Sequence, residues 1–211
     1  MIKVCIVDDH AIMREGLKKM LLDTPGIVVV DEAGSAHELL EKLERPSWDV
    51  LLLDMSLPDG SGIELLKEMK KRNVSFPSLV LTMHDEDQYG VRSFKSGAAG
   101  FLTKDSAPEL LASAIMKVAK GEKYVSTSLA EKLATLVGNS SLDISLDSLS
   151  DREFEVISLI GSGKLVTEIA NQLSLSVKTV STYRARIMSK LNLSNNADII
   201  HYCIQNQLIN Q

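Results

Sequence analysis

The chain of 211 residues is 45% hydrophobic and 24% charged, a balance that supports a folded core and excludes a disordered polyelectrolyte. No apolar run approaches the ~18 residues of a membrane span, and the chain opens on strand-like Lys3-Val4-Cys5-Ile6-Val7 instead of a signal peptide, so a cytoplasmic protein without membrane attachment is expected. The net charge of -5 is uneven: residues 1–149 carry 17 Lys+Arg against 23 Asp+Glu and residues 150–211 carry 6 against 5, so any nucleic-acid binding by the C-terminal part must rest on where its charges sit.

Residues 1–120 alternate apolar runs with amphipathic segments. The runs Lys3–Val7, Ile27–Asp31, Val50–Leu53, Leu79–Thr82 and Gly100–Thr103 read as strands, each followed by a helical pattern. Five such units predict an α/β fold, a flavodoxin-like, doubly wound, five-stranded parallel sheet covered on both faces. The first helix places Ile12, Leu17, Met20 and Leu21 on one side, the second Leu39, Leu40 and Leu43, the third Ile63, Leu65, Leu66 and Met69, all read as core. Cys5 and Cys203 lie in apolar segments and read as core thiols, not as a disulfide or a zinc site.

In such a sheet, ligands bind beyond the carboxyl ends of the strands. The residues there are Asp8 and Asp9 after the first run, Asp54 after the third, Thr82 and His84 after the fourth, and Lys104 after the fifth. Crowded carboxylates raise one another's pKa unless a cation sits among them, and oxygen ligands with open positions suit Mg²⁺. The chemistry favoured is phosphoryl transfer onto a carboxylate, with Asp54 attacking, a metal ion neutralising the phosphoryl oxygens and Lys104 as a fixed positive partner.

Val7-Asp8-Asp9-His10, Leu53-Asp54-Met55-Ser56-Leu57-Pro58-Asp59-Gly60, Leu81-Thr82-Met83 and Gly100-Phe101-Leu102-Thr103-Lys104 resemble the signature set of the receiver domains of two-component response regulators. The resemblance covers residues 1–122. It implies that Asp54 accepts a phosphoryl group from a sensor histidine kinase, that Asp9 and Asp54 ligate Mg²⁺ beside the Ser56 carbonyl with Asp8 nearby, and that Thr82 and Phe101 are the switch residues. It also implies that His84 influences the lifetime of the phosphoryl group. Where many receivers have proline after the lysine, this chain has Asp105.

After Gly121 the pattern changes. Residues 123–148 are read as a linker: a short amphipathic helix over Ser126–Val137 with Leu129, Leu133, Leu136 and Val137, then a Ser/Asp/Asn-rich stretch in which Leu142, Ile144 and Leu146 are expected to lie against a surface. Residues 149–211 predict four short helices, Asp151–Gly161, Val166–Leu173, Val177–Leu191 and Asn196–Leu208, opened by a capping box at Ser150 and Glu153. The connection Ser174-Leu175-Ser176 has helix-turn-helix length.

On a helical wheel the third of these helices puts Val177, Val180, Arg184, Ile187 and Leu191 on one side and Lys178, Ser181, Thr182, Ala185, Arg186 and Ser189 on the other, with Lys190 at the flank. No acid occurs from Ser174 to Ser194. Short polar and basic side chains without acids suit a helix entering the major groove of double-stranded DNA. Leu149-Ser150-Asp151-Arg152-Glu153, Glu168-Ile169-Ala170, Ser176-Val177-Lys178-Thr179-Val180 and Lys190-Leu191-Asn192-Leu193 resemble the LuxR-type helix-turn-helix, so the whole chain is similar to NarL/FixJ-type response regulators. Ser181 and Asn196 stand where that family often has lysine and arginine, which implies an altered sequence preference.

The reading is therefore a DNA-binding transcription regulator and not an enzyme, although slow self-dephosphorylation is expected. An aspartyl-phosphate phosphotransferase would need an acid two residues after the nucleophile, where Ser56 stands. An output domain that binds protein is disfavoured by the acid-free face. Phosphorylation is expected to convert a weakly associating form into a homodimer competent for DNA, and the last helix offers Ile199, Ile200, Cys203, Ile204 and Leu208 partly to core and partly to a dimer contact.

Overall fold

The computed structural model describes every residue except 45, 84, 85, 107, 139–145, 147, 174, 207 and 209–211, and only the backbone of 87, 88 and 135–138. His84, Leu142 and Ile144 lie outside the described residues. Two compact units result, Met1–Gly138 and Asn139–Gln211.

In the first unit the apolar runs become strands β1 (Ile2–Val7), β2 (Ile27–Ala33) and β3 (Val50–Leu53). Two very short strands follow, β4 (Ser56–Leu57) and β5 (Gly60–Ser61), then β6 (Ser78–Thr82) and β7 (Gly100–Thr103). The five long ones pair in parallel in the order β2-β1-β3-β6-β7. Every residue of β3 and β6 is buried, as a parallel sheet covered on both faces requires of its central strands. Helices α1 (Ala11–Leu22), α2 (Ala36–Lys42), α3 (Gly62–Lys71), α4 (Glu86–Lys95), α5 (Pro108–Ala119) and α6 (Thr127–Gly138) complete the unit. Alternation along the strands splits the core: Val4, Ile6, Val50, Leu52, Leu79 and Leu81 pack with Leu17 and Leu21 of α1 and Leu111, Ala114 and Ile115 of α5. Cys5, Val7, Leu51, Leu53, Val80 and Phe101 point the other way and are equally buried.

Ile12 departs from its expected place: it is 90% exposed, while Met13, Leu17, Met20 and Leu21 form the inner stripe of α1. Five residues before Leu17, Ile12 is turned roughly 140° away on a helix of 100° per residue. The tiny pair β4 and β5, hidden in the sequence inside a turn-rich stretch, delivers the capping box of α3, where Ser61 Oγ accepts from the Glu64 amide at 3.1 Å and Glu64 accepts from the Ser61 amide.

The segment read as the start of a linker is built into the first unit. The Tyr124 amide donates to the Ala99 carbonyl at 2.9 Å and the Phe101 amide to the Tyr124 carbonyl at 3.3 Å, lining the open edge of β7. Helix α6 then packs on α4. Leu129 is buried over Gly90, where a Cβ would meet both Leu129 methyls at 2.8 Å, and Ser126 Oγ donates to Glu86 Oε2 at 2.5 Å. The compact unit runs from Met1 to Gly138.

The second unit contains α7 (Asp151–Gly161), α8 (Val166–Gln172), α9 (Val177–Leu191) and α10 (Asn196–Gln205). Phe154, Val156, Ile157 and Ile160 of α7, Ile169 of α8, Val180 and Ile187 of α9, and Ile199 and Cys203 of α10 are buried. Leu208 is also buried, whereas Ile204 is 41% exposed and Val177, in the first turn of α9, 48%.

Candidate functional site

The carboxyl edge of the sheet gathers the polar residues because each strand ends where its apolar run ends. Asp8 follows β1, Asp54 follows β3 and Lys104 follows β7, and all three side chains are 3–5% exposed. The Asp54 amide donates to the Val7 carbonyl at 2.8 Å, continuing the β1–β3 register and holding Asp54 beside Asp8. Lys104 Nζ lies 2.7 Å from Asp8 Oδ2 and 2.7 Å from Asp54 Oδ2. Its own amide donates to the carbonyl of Thr82, a fully buried residue at the end of β6.

Burial raises the Asp54 carboxyl above its ordinary range; Lys104 pulls it back, the Asp8 charge pushes it up again, and the Ser56 amide lowers it by donating to the carboxylate. Burial also works against the Lys104 ammonium, but its bonds to Asp54 and Asp8 outweigh that and hold its pKa above the usual lysine value. The site thus combines a buried carboxyl group with a cation that stays charged.

Asp9 keeps a third of its side chain exposed, and His10 Nδ1 sits 2.6 Å from Asp9 Oδ1 and 3.4 Å from Asp8 Oδ1. One ligand atom from each of Asp8, Asp9, His10 and Asp54 falls within 4.8 Å of the others, a donor set that fits a single divalent cation. Ser56, half-buried in β4, is two residues beyond Asp54. Phe101 is 1% exposed on β7, so its ring already occupies the inward side, with Tyr124 along the strand edge.

Three contributors went unread in the sequence. Arg14 donates to the Asp8 carbonyl at 2.6 Å while its Nε reaches Glu32, tying the acid-bearing loop to β2. Asp59 accepts from the Ala36 and His37 amides at 2.9 and 2.8 Å, capping α2 from the turn after Asp54. Gly62 lies against the Asp54 carbonyl so closely that no Cβ fits. The Asp-Gly-Ser-Gly run after Asp54 was the available signal for the last two.

In the second unit Lys178, Ser181, Thr182, Ala185, Arg186 and Lys190 are all exposed on α9. The Ser181 and Thr182 hydroxyls donate to the carbonyls of Val177 and Lys178 at 2.8 and 2.9 Å, leaving their lone pairs outward. Ser176 caps the helix through the Thr179 amide, and Asn192 closes it in the left-handed conformation with φ 54°. Arg184 Nε donates to Asn196 Oδ1 at 2.5 Å, bracing α9 against α10.

Lys190 is engaged inside the unit: its Nζ donates to Glu153 Oε2 at 2.6 Å and to the Ser148 carbonyl at 2.9 Å. Burial would raise the Glu153 carboxyl, but the bonds from Lys190 and Ser150 outweigh it and hold it below its ordinary value. The ammonium placed by the wheel at the flank of the outward face is therefore turned to the N-terminus of α7.

Two family models match the chain: the response regulator receiver domain over residues 4–116 and the bacterial regulatory proteins of the luxR family over residues 147–203. The response regulator UvrY of Escherichia coli strain K12 is 35% identical over 211 residues, 100% of this chain and 97% of that one. A solved structure of RcsB from Salmonella enterica serovar Typhimurium, bound to promoter rprA in the presence of the phosphomimetic BeF3-, is 30% identical, covers 95% of this chain and 97% of its own, and superposes with a TM-score of 0.61. A structure of two RcsB dimers bound to two parallel DNAs is 31% identical, covers 97% and 98%, and gives a TM-score of 0.58.

Proposed function

Since the chain belongs to the NarL/FixJ-type response regulators, which join a receiver domain to a LuxR-type regulatory domain, we propose that phosphorylation of Asp54 by a sensor histidine kinase controls its binding to double-stranded DNA. It is a DNA-binding regulator of a two-component system. The observation that carries the assignment is the buried Asp54 carboxylate held 2.7 Å from the Lys104 ammonium, with Asp8 as the other partner of the same cation.

In the transfer, an Asp54 carboxylate oxygen forms the new bond to phosphorus as the bond from phosphorus to the kinase imidazole nitrogen breaks. Asp8, Asp9 and Asp54, with the Ser56 carbonyl, would hold Mg²⁺, which when bound neutralises charge on the phosphoryl oxygens. Lys104 supplies a second, fixed positive charge, and release of its bond to Asp54 frees it to meet a phosphoryl oxygen. The Thr82 hydroxyl and the Phe101 ring are the residues through which the added charge reaches α4 and the β7 edge. The outward face of α9, with Lys178, Ser181, Thr182, Ala185 and Arg186, enters the major groove, and phosphorylation favours the dimer that reads two half-sites. No helix among the described residues is long and apolar enough to cross a membrane, which supports a cytoplasmic site of action. The phosphotransferase alternative lacks its acid, since Ser56 occupies that position.

Intact mass after incubation with acetyl phosphate tests the assignment. One phosphoryl group is expected on the wild-type chain with Mg²⁺, and none on Asp54→Asn or under chelation. Equal labelling of the variant overturns it.

A further inference from the structure

We propose that His10 is a ligand of the divalent cation at this site and gives it a preference for Mn²⁺ over Mg²⁺. The inference rests on the reading of the acid cluster as a metal-dependent phosphorylation site and adds a nitrogen donor to what is otherwise an all-oxygen set.

The geometry carries it. The His10 side chain is 69% exposed, so no packing forces its ring inward, yet Nδ1 is turned into the cluster, 2.6 Å from Asp9 Oδ1. The loop is fixed for this by the His10 amide, which donates to Asp8 Oδ1 at 2.8 Å. Asp8 is otherwise occupied: Oδ1 accepts that amide and Oδ2 accepts Lys104. Asp54 Oδ2 is likewise held by Lys104. The donors facing solvent are therefore Asp9 and His10, adjacent in sequence and already in contact. Ligand atoms within 4.8 Å of one another lie slightly beyond the ~4.2 Å that separates opposite ligands around one ion with bonds of about 2.1 Å, so a small side-chain adjustment lets them share one.

The chemistry follows from the donor. Mg²⁺ favours oxygen and keeps much of its water, whereas Mn²⁺ accepts imidazole nitrogen as well as carboxylate. As a ligand, Nδ1 would present its lone pair to the cation in place of its contact with Asp9. An ordinary surface ion pair between His10 and Asp9 would place the same two atoms together without any role for the ring in metal binding, and the experiment separates the two.

The full-length chain is titrated by calorimetry with MgCl₂ and with MnCl₂, and the Mn²⁺ complex is examined by electron spin-echo modulation, which reports directly bound ¹⁴N. The wild type is expected to bind Mn²⁺ more tightly than Mg²⁺ and to show one coupled nitrogen. His10→Gln, which offers an amide oxygen from a similar position, should lose the nitrogen signal and lose about tenfold more affinity for Mn²⁺ than for Mg²⁺. Absence of nitrogen coupling in the wild type, or equal losses for both ions in the variant, overturns the role of His10. If Asp54 is still labelled by acetyl phosphate with Mg²⁺, that outcome leaves the phosphorylation site standing. If neither ion binds the wild type, both readings fall.

Discussion

Gly62, at the first position of α3, is pressed against the backbone of Asp54: a Cβ there would lie inside the van der Waals shell of the Asp54 carbonyl oxygen and 3.2 Å from its carbon. The helix can start this close because the Gly62 amide donates to the Met55 carbonyl at 2.8 Å, stitching the return of the β4 and β5 turn onto the strand end. Gly62→Ala has only backbone to push on. It is expected to cost about 1–3 kcal/mol of stability and to slow labelling of Asp54 by acetyl phosphate, read by denaturant unfolding and by the time course of intact mass. An unchanged labelling rate with unchanged stability would mean that the carbonyl can shift freely.

The raised carboxyl of Asp54 sets a pH dependence. A group whose folded pKa lies above its unfolded value of about 3.9 contributes stability that is complete below that value and is lost as pH rises through the folded pKa. At neutral pH the Asp54 carboxylate therefore costs stability, chiefly through burial and the neighbouring Asp8 charge. Asp54→Asn is expected to melt above the wild type at pH 7, with the difference shrinking as pH falls through the folded pKa toward 3.9. A difference that grows on acidification contradicts the shift.

Glu153 shows the opposite sign. Its folded pKa is lowered, so its contribution is present above the unfolded value of about 4.3 and lost as pH falls through the folded one. Glu153→Gln is expected to lower the stability of the second unit by about 1 kcal/mol at pH 7, the scale of a helix cap, and to flatten its acid dependence. Lys190→Gln should act the same way, because its ammonium is bound to Glu153 and the Ser148 carbonyl. Melting curves followed across pH by the full-length chain decide this.

On the face of α9, Ala185→Glu puts a carboxylate among Lys178, Thr182 and Arg186, all exposed. Specific DNA affinity is expected to fall at least about tenfold, while helix content holds because glutamate is a good helix former. Lys178→Gln should instead weaken binding across sequences and reduce its salt slope by about one counterion. Retention of both properties on a cognate fragment would place the DNA contact elsewhere.

The strands were legible because a buried parallel strand has no polar face, so Val50–Leu53 and Leu79–Thr82 announce themselves as unbroken apolar runs. The same logic brought Asp8, Asp54 and Lys104 to one edge, since the residue that ends an apolar run at the carboxyl side has little choice of place. What stayed hidden depends on partners distant in sequence. Lys190 reads as an outward charge until Glu153, 37 residues earlier, is seen beside it. Ile12 reads as core until the neighbouring positions of α1 take the inner stripe, leaving it in solvent. The packing of the helix beyond Gly121 depends in the same way on a distant position, since Leu129 finds the one place on α4 where a glycine leaves room for it. His10 could be listed beside Asp8 and Asp9 from sequence alone, but only the direction of its ring makes it a donor.

Cys5 sits fully buried in β1 and Cys203 fully buried in α10, one in each compact unit, with burial pushing their thiols up to about 12 and about 11. At neutral pH neither forms appreciable thiolate, and neither can be reached by a reagent while its unit stays folded. The wild-type chain is therefore a ready background for site-directed labelling: a single cysteine introduced at an exposed position accepts a fluorophore or spin label, with both native thiols left in place. A pair of such positions, one per unit, turns the distance between receiver and output domain into an optical or magnetic signal that can be followed on addition of acetyl phosphate.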